Sequence, residues 1–101
     1  MCKSTNSSTD RTSFHSVTIK TSVQQLISAF GNPTYETNTG EDKVNYEWDM
    51  ETSEGDVFTI YDWKEGRRIE DYEQIEFHIG AHSKFVSITA KEELLEALKN
   101  I

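Results

Sequence analysis

The amino-acid sequence predicts a small α+β domain: an antiparallel sheet in the order β-α-β-β-β-α, with the helices packed on one face. Three observations carry this expectation. A chain of 101 residues has room for one core and no second domain. Segments near the middle of the chain alternate apolar and polar residues, as half-buried strands do, while a segment on either side repeats at helical spacing. Strands grouped between two helices favour a sheet with one covered and one wet face.

Residues 1–13, MCKSTNSSTDRTS, hold eight Ser, Thr or Asn and no large apolar residue after Met1. Such a stretch buries too little surface to offset the entropy of ordering, so a flexible leader is expected, followed by a single domain over 14–101. Phe14 to Lys20 alternates, with Val17 and Ile19 on one side and Ser16 and Thr18 on the other, which predicts a strand. Thr21 and Gln24 have capping-box spacing, Val23, Leu26, Ile27 and Phe30 follow at i, i+3, i+4 and i+7, and Gly31 and Pro33 stop the helix. Tyr35 to Asp42 reads as a loop or edge connection.

Val44, Tyr46, Trp48 and Met50 alternate with Asn45, Glu47, Asp49 and Glu51, giving a strand with one apolar and one carboxylate-rich face. Thr52 to Asp56 is the turn of a hairpin whose return strand runs from Val57 to Trp63; Phe58 and Ile60 share one face and Val57, Thr59 and Tyr61 the other, and the apolar run leaves open which of the two faces the core. Glu65 to Glu73 is a charged loop. Ile75, Phe77 and Ile79 mark a further strand that Gly80 is expected to end. The last helix is expected to start at Thr89, three residues before Glu92, with Leu94, Leu95, Leu98 and Ile101 as its apolar stripe. Ser83 to Ile88 is open between a sheet extension and a preceding helical turn.

Apolar residues make up 35%, with eleven aromatics, and eighteen Asp and Glu against ten Lys and Arg leave a formal charge of −8. That balance argues against direct nucleic-acid binding through phosphates and against an anionic membrane surface. One cysteine excludes an internal disulfide framework and a thiolate zinc cage, and no 20-residue apolar span or signal-type segment is present. No cofactor motif occurs: there is no P-loop and no G-x-G-x-x-G. His78 and His82, with Asp62 and Glu76 nearby, give a weak metal pattern in a segment that reads as strand and turn, so no metal is expected. Ser83 beside His82 lacks the context of a nucleophile, and an enzyme is not expected.

Two clusters remain. The first is acidic: Glu36 to Glu76 holds fourteen carboxylates and four basic residues, a balance of −10, while the rest of the chain sums to +2. Glu47, Asp49 and Glu51 would stand about 6.5–7 Å apart along one strand face, close to the phosphate spacing of a nucleic-acid strand. Such a ladder, joined by Glu76, suits a basic groove; the plain alternative is a solvated face kept charged against edge association. The second is Tyr61, Asp62, Trp63 and Lys64 with Arg67 following, and with His78 and Ser83 as neighbours across the sheet. This mixture would stack on a planar ligand while its basic groups hold a phosphate, or it is an ordinary set of strand aromatics and solubilising charges.

FGNPTY at 30–35, YEWDM at 46–50, YDWKE at 61–65 and IEFHIGAHS at 75–83 resemble a group of small, largely uncharacterised bacteriophage-encoded proteins with an FGxPT…YDWKE…E(W/F)HIGG pattern. The resemblance covers Thr21 to Ser83. Gly80-Ala81 stands where the pattern has Gly-Gly, Phe77 where Trp is common, and Phe85 to Ala90 reads as an insertion. The resemblance implies a phage origin and a β-rich α+β fold. The function then expected is an acidic binding protein in the host cytoplasm, inhibiting a host defence system of the anti-CRISPR or anti-restriction kind. Its partner would be a host defence protein with a basic groove, met by Glu47, Asp49, Glu51 and Glu76. The alternative is a sponge for a nucleotide second messenger of host immunity, built from the Tyr61–Lys64 cluster at a homo-oligomer interface.

Overall fold

The computed structural model describes residues 1–101. Its elements in chain order are β1 (Lys3–Ser4), β2 (Ser13–Thr21), α1 (Val23–Phe30), β3 (Tyr35–Glu36), β4 (Tyr46–Glu51), β5 (Val57–Tyr61), β6 (Ile75–Ala81) and α2 (Lys84–Lys99). The strands form one antiparallel sheet in the order β1-β4-β5-β6-β2, with β3 also pairing β4. Both helices pack on one face, as an α+β domain requires.

Period-two alternation decides which face is covered. Tyr46, Trp48 and Met50 of β4, Phe58 and Ile60 of β5, Phe77 and Ile79 of β6 and Ile19 of β2 are all buried and meet Val23 and Leu26 of α1 and Ala90 and Leu94 of α2. The indole N–H of Trp48 donates to the Gly31 carbonyl at 3.1 Å, which fixes the end of α1 over the sheet. The opposite face has no helix and carries the polar members of each strand.

The capping box of α1 sits one residue later than the sequence suggests. Ser22 is the N-cap and accepts from the Gln25 backbone, while Thr21 completes β2 as a buried residue. Ile27, counted in the apolar stripe, is half-exposed. Gly31 closes the helix at φ 84°, a left-handed value that favours glycine.

Larger departures occur at both ends. Residues 1–13, expected as a flexible leader, contribute β1, which pairs Lys3 with Glu51 and Ser4 with Met50, and bury Cys2 to 5% exposure. The gain comes from backbone pairing and one small apolar side chain, terms that side-chain composition does not register. α2 starts at Lys84 instead of Thr89, with Ser83 as N-cap accepting from the Val86 amide at 3.2 Å. Phe85 and Ile88 belong to that first stretch of helix and point outward, which removed the amphipathic signal. β6 runs through Gly80 to Ala81 and is not ended there.

β2 is irregular. Between Phe14 and Thr18 its register against β6 shifts, and Ser16 lies at φ 66°. At this bulge the His15 ring Nε2–H donates to the Ala81 carbonyl at 3.1 Å.

Candidate functional site

The uncovered face of the sheet brings most of the singled-out residues into adjacent rows. Glu47 is paired in register with Tyr61, Tyr61 with His78 and His78 with Thr18, so these four side chains cross the sheet in one row. The next row is Asp49, Thr59, Gly80 and Phe14. The acidic ladder and the YDWKE cluster therefore share a surface.

Gly80 shapes the centre of it. A Cβ there would lie 2.6 Å from Thr59 Oγ1 and 3.3 Å from Tyr61 Cε1. Phe14, paired with Gly80 across the strands, stacks on His78, ring centroids 3.9 Å apart and planes 13° apart. Tyr61 meets His78 edge-on at 5.5 Å, and Trp63 lies 6.2 Å from Tyr61 and 6.3 Å from His78. Phe14 and Trp63 are 41% and 39% exposed, so the cluster has a solvent-facing apolar surface. Burial holds the His78 pKa below its ordinary value against the opposing pull of Glu76 and Glu65, and the ring is neutral at pH 7.

Two lysines flank Trp63. The Lys64 amide donates to the Lys43 carbonyl at 2.8 Å, with Lys64 at φ 53°, and this tie places Lys43 Nζ 5.9 Å and Lys64 Nζ 5.5 Å from the indole centroid. Lys43 and Phe14 were not singled out in the sequence. Phe14 carried a usable signal, an aromatic on a strand whose next apolar residues, Val17 and Ile19, belong to the core. Lys43 carried none, because only the 43–64 backbone contact brings it to Trp63.

Beside these rings lies a cleft of about 250 Å³, lined by Glu47, Tyr61, Trp63 and, from the N-terminal segment, Thr9, Thr12 and Ser13. Glu47 titrates abnormally, its pKa pushed up to about 7, first by burial and then by a hydrogen bond to Asp49 and the charge of Asp49. Asp49 Oδ1 is buried with no hydrogen-bond partner. A proton on Glu47 would supply the donor that Asp49 lacks. Glu47 and Asp49, the first two members of the expected ladder, stand on the same strand face, and the charge of Asp49 bears on Glu47. Glu51 is half-buried on the same face, and Glu76 is exposed and accepts from Thr18 Oγ1 at 2.7 Å.

Three members of the second cluster lie elsewhere. Asp62 is fully buried: its carboxylate accepts from the backbone amides of Asn45 and Tyr46 at 2.9 and 2.8 Å and from the Asn45 side chain at 3.1 Å. It is therefore an internal tie and not a ligand group. Asp62 shares the face of Phe58 and Ile60, which the structure shows to be the core face. Arg67 forms a forked ion pair with Glu73 and approaches Glu65, while Asn45 holds the Arg67 carbonyl at 3.1 Å. The Ser83 hydroxyl is engaged in capping α2.

A larger groove of about 770 Å³ runs between α1 and the loop at 68–72, past Gln24, Ile27, Arg68 and Tyr72, and contains none of the singled-out residues. No cluster of three or more His, Cys, Asp or Glu converges, and no helix is long and apolar enough to cross a membrane. No known protein-family description matches the chain, and no curated protein matches its sequence.

Proposed function

We propose that this chain is a protein-binding module whose uncovered sheet face docks on a basic protein surface, with an arginine of the partner entering the cleft at Glu47. The observation that carries the reading is that Glu47, Tyr61 and the exposed Trp63 line one cleft, with Asp49 next to Glu47 on the same strand face. At about 250 Å³ that cleft falls below the roughly 300–1,000 Å³ usual for small-molecule sites, and it suits a single side chain. A guanidinium stacks on Tyr61 or Trp63 and donates two parallel hydrogen bonds to carboxylates such as Glu47 and Asp49. Exposed Phe14 and Trp63 serve as aromatic anchors, with Glu51 and Glu76 as the charged rim.

In the phage setting implied by the resemblance, the partner is a host defence protein that handles nucleic acid. The module then acts in the host cytoplasm as an inhibitor of anti-CRISPR or anti-restriction type, without chemistry of its own. A second reading has one observation in its favour, the two lysines flanking Trp63: a nucleotide base would stack on the indole while Lys43 and Lys64 hold its phosphate.

Fluorescence titration separates them, because Trp48 is buried and Trp63 exposed. Oligo-arginine is expected to quench Trp63 and to bind more tightly than oligo-lysine of equal length, with affinity falling as salt rises. Trp63→Ala and Glu47→Gln should each remove the arginine preference. Equal binding of the two peptides, or an unchanged preference in both variants, overturns the proposal. Quenching by mononucleotides with no response to oligo-arginine transfers the assignment to the nucleotide reading.

A further inference from the structure

The N-terminal segment crosses the sheet. β1 pairs on the outer side of β4 and β2 lies at the opposite margin, so residues 6–12 pass from one edge to the other. Four strand spacings of about 4.8 Å put those edges roughly 19 Å apart, and the eight steps from Thr5 to Ser13 reach at most about 29 Å, which leaves little slack. The crossing is on the helix-free face: Thr9, Thr12 and Ser13 line the cleft together with Glu47, Thr59, Tyr61 and Gly80. Thr59 is only 4% exposed although no helix covers it.

Within this crossing the hydrogen bonds are local. The Ser7 amide donates to Thr5 Oγ1, the Asp10 amide to Ser8 Oγ, and the Thr12 amide and hydroxyl to the Thr9 carbonyl. None joins residues 6–12 to the sheet beneath them. The free end is fastened by β1 and its neighbours: Lys3 and Ser4 pair with Glu51 and Met50, the Thr5 amide donates to the Asp49 carbonyl at 3.0 Å, and Cys2 enters the core. A segment held in this way opens at a lower free energy than the strands it crosses. The Thr9 hydroxyl lines the cleft and has no partner within the chain. We infer that residues 6–12 are a strap that closes over an arginine docked at Glu47, with β1 as its latch and the Thr9 hydroxyl accepting a guanidinium N–H. This role rests on the docking reading above: a bound guanidinium touches strap and sheet together, so docking and latching strengthen each other by the same factor.

Cys2 reports the latch and Trp63 the docking. At pH 8 a neutral disulfide reagent should label Cys2 at a rate that hardly changes in urea below the unfolding transition, because release of β1 exposes the thiol without unfolding the sheet. Saturating oligo-arginine should slow that labelling about tenfold. Thr9→Ala deletes a hydroxyl that nothing else in the chain uses, so the labelling rate without peptide should stay the same. Its affinity for oligo-arginine should fall about fivefold, and the protection of Cys2 should shrink by the same factor. Quenching of Trp63 with unchanged labelling of Cys2, or wild-type affinity and protection in Thr9→Ala, overturns the strap and leaves the docking face standing. Absence of quenching removes the docking reading and the strap's role with it. Labelling that follows global stability through the urea series overturns β1 as the latch.

Discussion

Replacing Glu47 with Gln should stabilise the protein at pH 8 and leave it nearly unchanged near pH 4. The carboxyl has a pKa of about 7 in place of 4.5, so the folded state holds its proton more tightly than the unfolded chain does. The resulting stabilisation is fully present below pH 4.5 and is lost as pH rises through about 7. A displacement of that size corresponds to about 3 kcal/mol, which partial solvent contact reduces to about 1–2 kcal/mol. Glutamine keeps a donor for Asp49 at every pH and has no charge to desolvate. Urea denaturation of the two proteins between pH 4 and 8.5, followed by the fluorescence of buried Trp48, gives the difference directly, and the other titrating groups cancel. The curves should converge at the acid end and separate by about 1–2 kcal/mol at the alkaline end. Parallel curves would refute the proton on Glu47 as the donor to Asp49. The same proton must leave when a guanidinium enters the cleft, so oligo-arginine should bind about tenfold more tightly at pH 8 than at pH 6.

Asp62→Ala leaves two backbone amides and the Asn45 side chain without their buried acceptor and should cost about 3–5 kcal/mol in urea denaturation. A loss below about 1 kcal/mol would mean that water reaches those donors. Burial, reinforced by the charge of Glu93, pushes the Cys2 thiol up to about 11, so its reaction with a disulfide reagent at pH 8 should be at least about 100-fold slower than that of a free thiol and recover in denaturant. Fast labelling of the native protein would show that the first residues detach readily from β4.

The strands and α1 were legible because burial there is periodic: Tyr46, Trp48 and Met50 point one way and Glu47, Asp49 and Glu51 the other. α2 was misplaced because its first turns expose Phe85 and Ile88, and a helix that is apolar on its outer side looks like a strand. Thr89 and Glu92 imitated a start signal inside a helix already under way. The site was legible as two separate clusters, yet their meeting on one face depends on the register that sets Glu47 beside Tyr61 and Tyr61 beside His78. Glu47 shares its cleft with Thr9, Thr12 and Ser13 of the N-terminal segment, and a Ser/Thr-rich stretch gives no hint of where it lies.

The outer edge of β4 is closed along its whole length by pieces of chain far apart in sequence. β1 takes Met50 and Glu51, the Thr5 amide reaches the Asp49 carbonyl at 3.0 Å, and Thr34 Oγ1 accepts from the Asp49 amide at 3.0 Å. β3 takes Tyr46 and Glu47, and the Thr37 amide reaches the Asn45 carbonyl at 2.8 Å. An unpaired strand edge is a template for foreign strands and for fibril growth. Here two strands of two residues each, with threonine caps between them, leave that template no free peptide groups. The opposite edge, β2, is broken by its bulge at Ser16 and carries Lys20. With exposed aromatics on one face, the chain thus has neither margin of its sheet open to polymerisation.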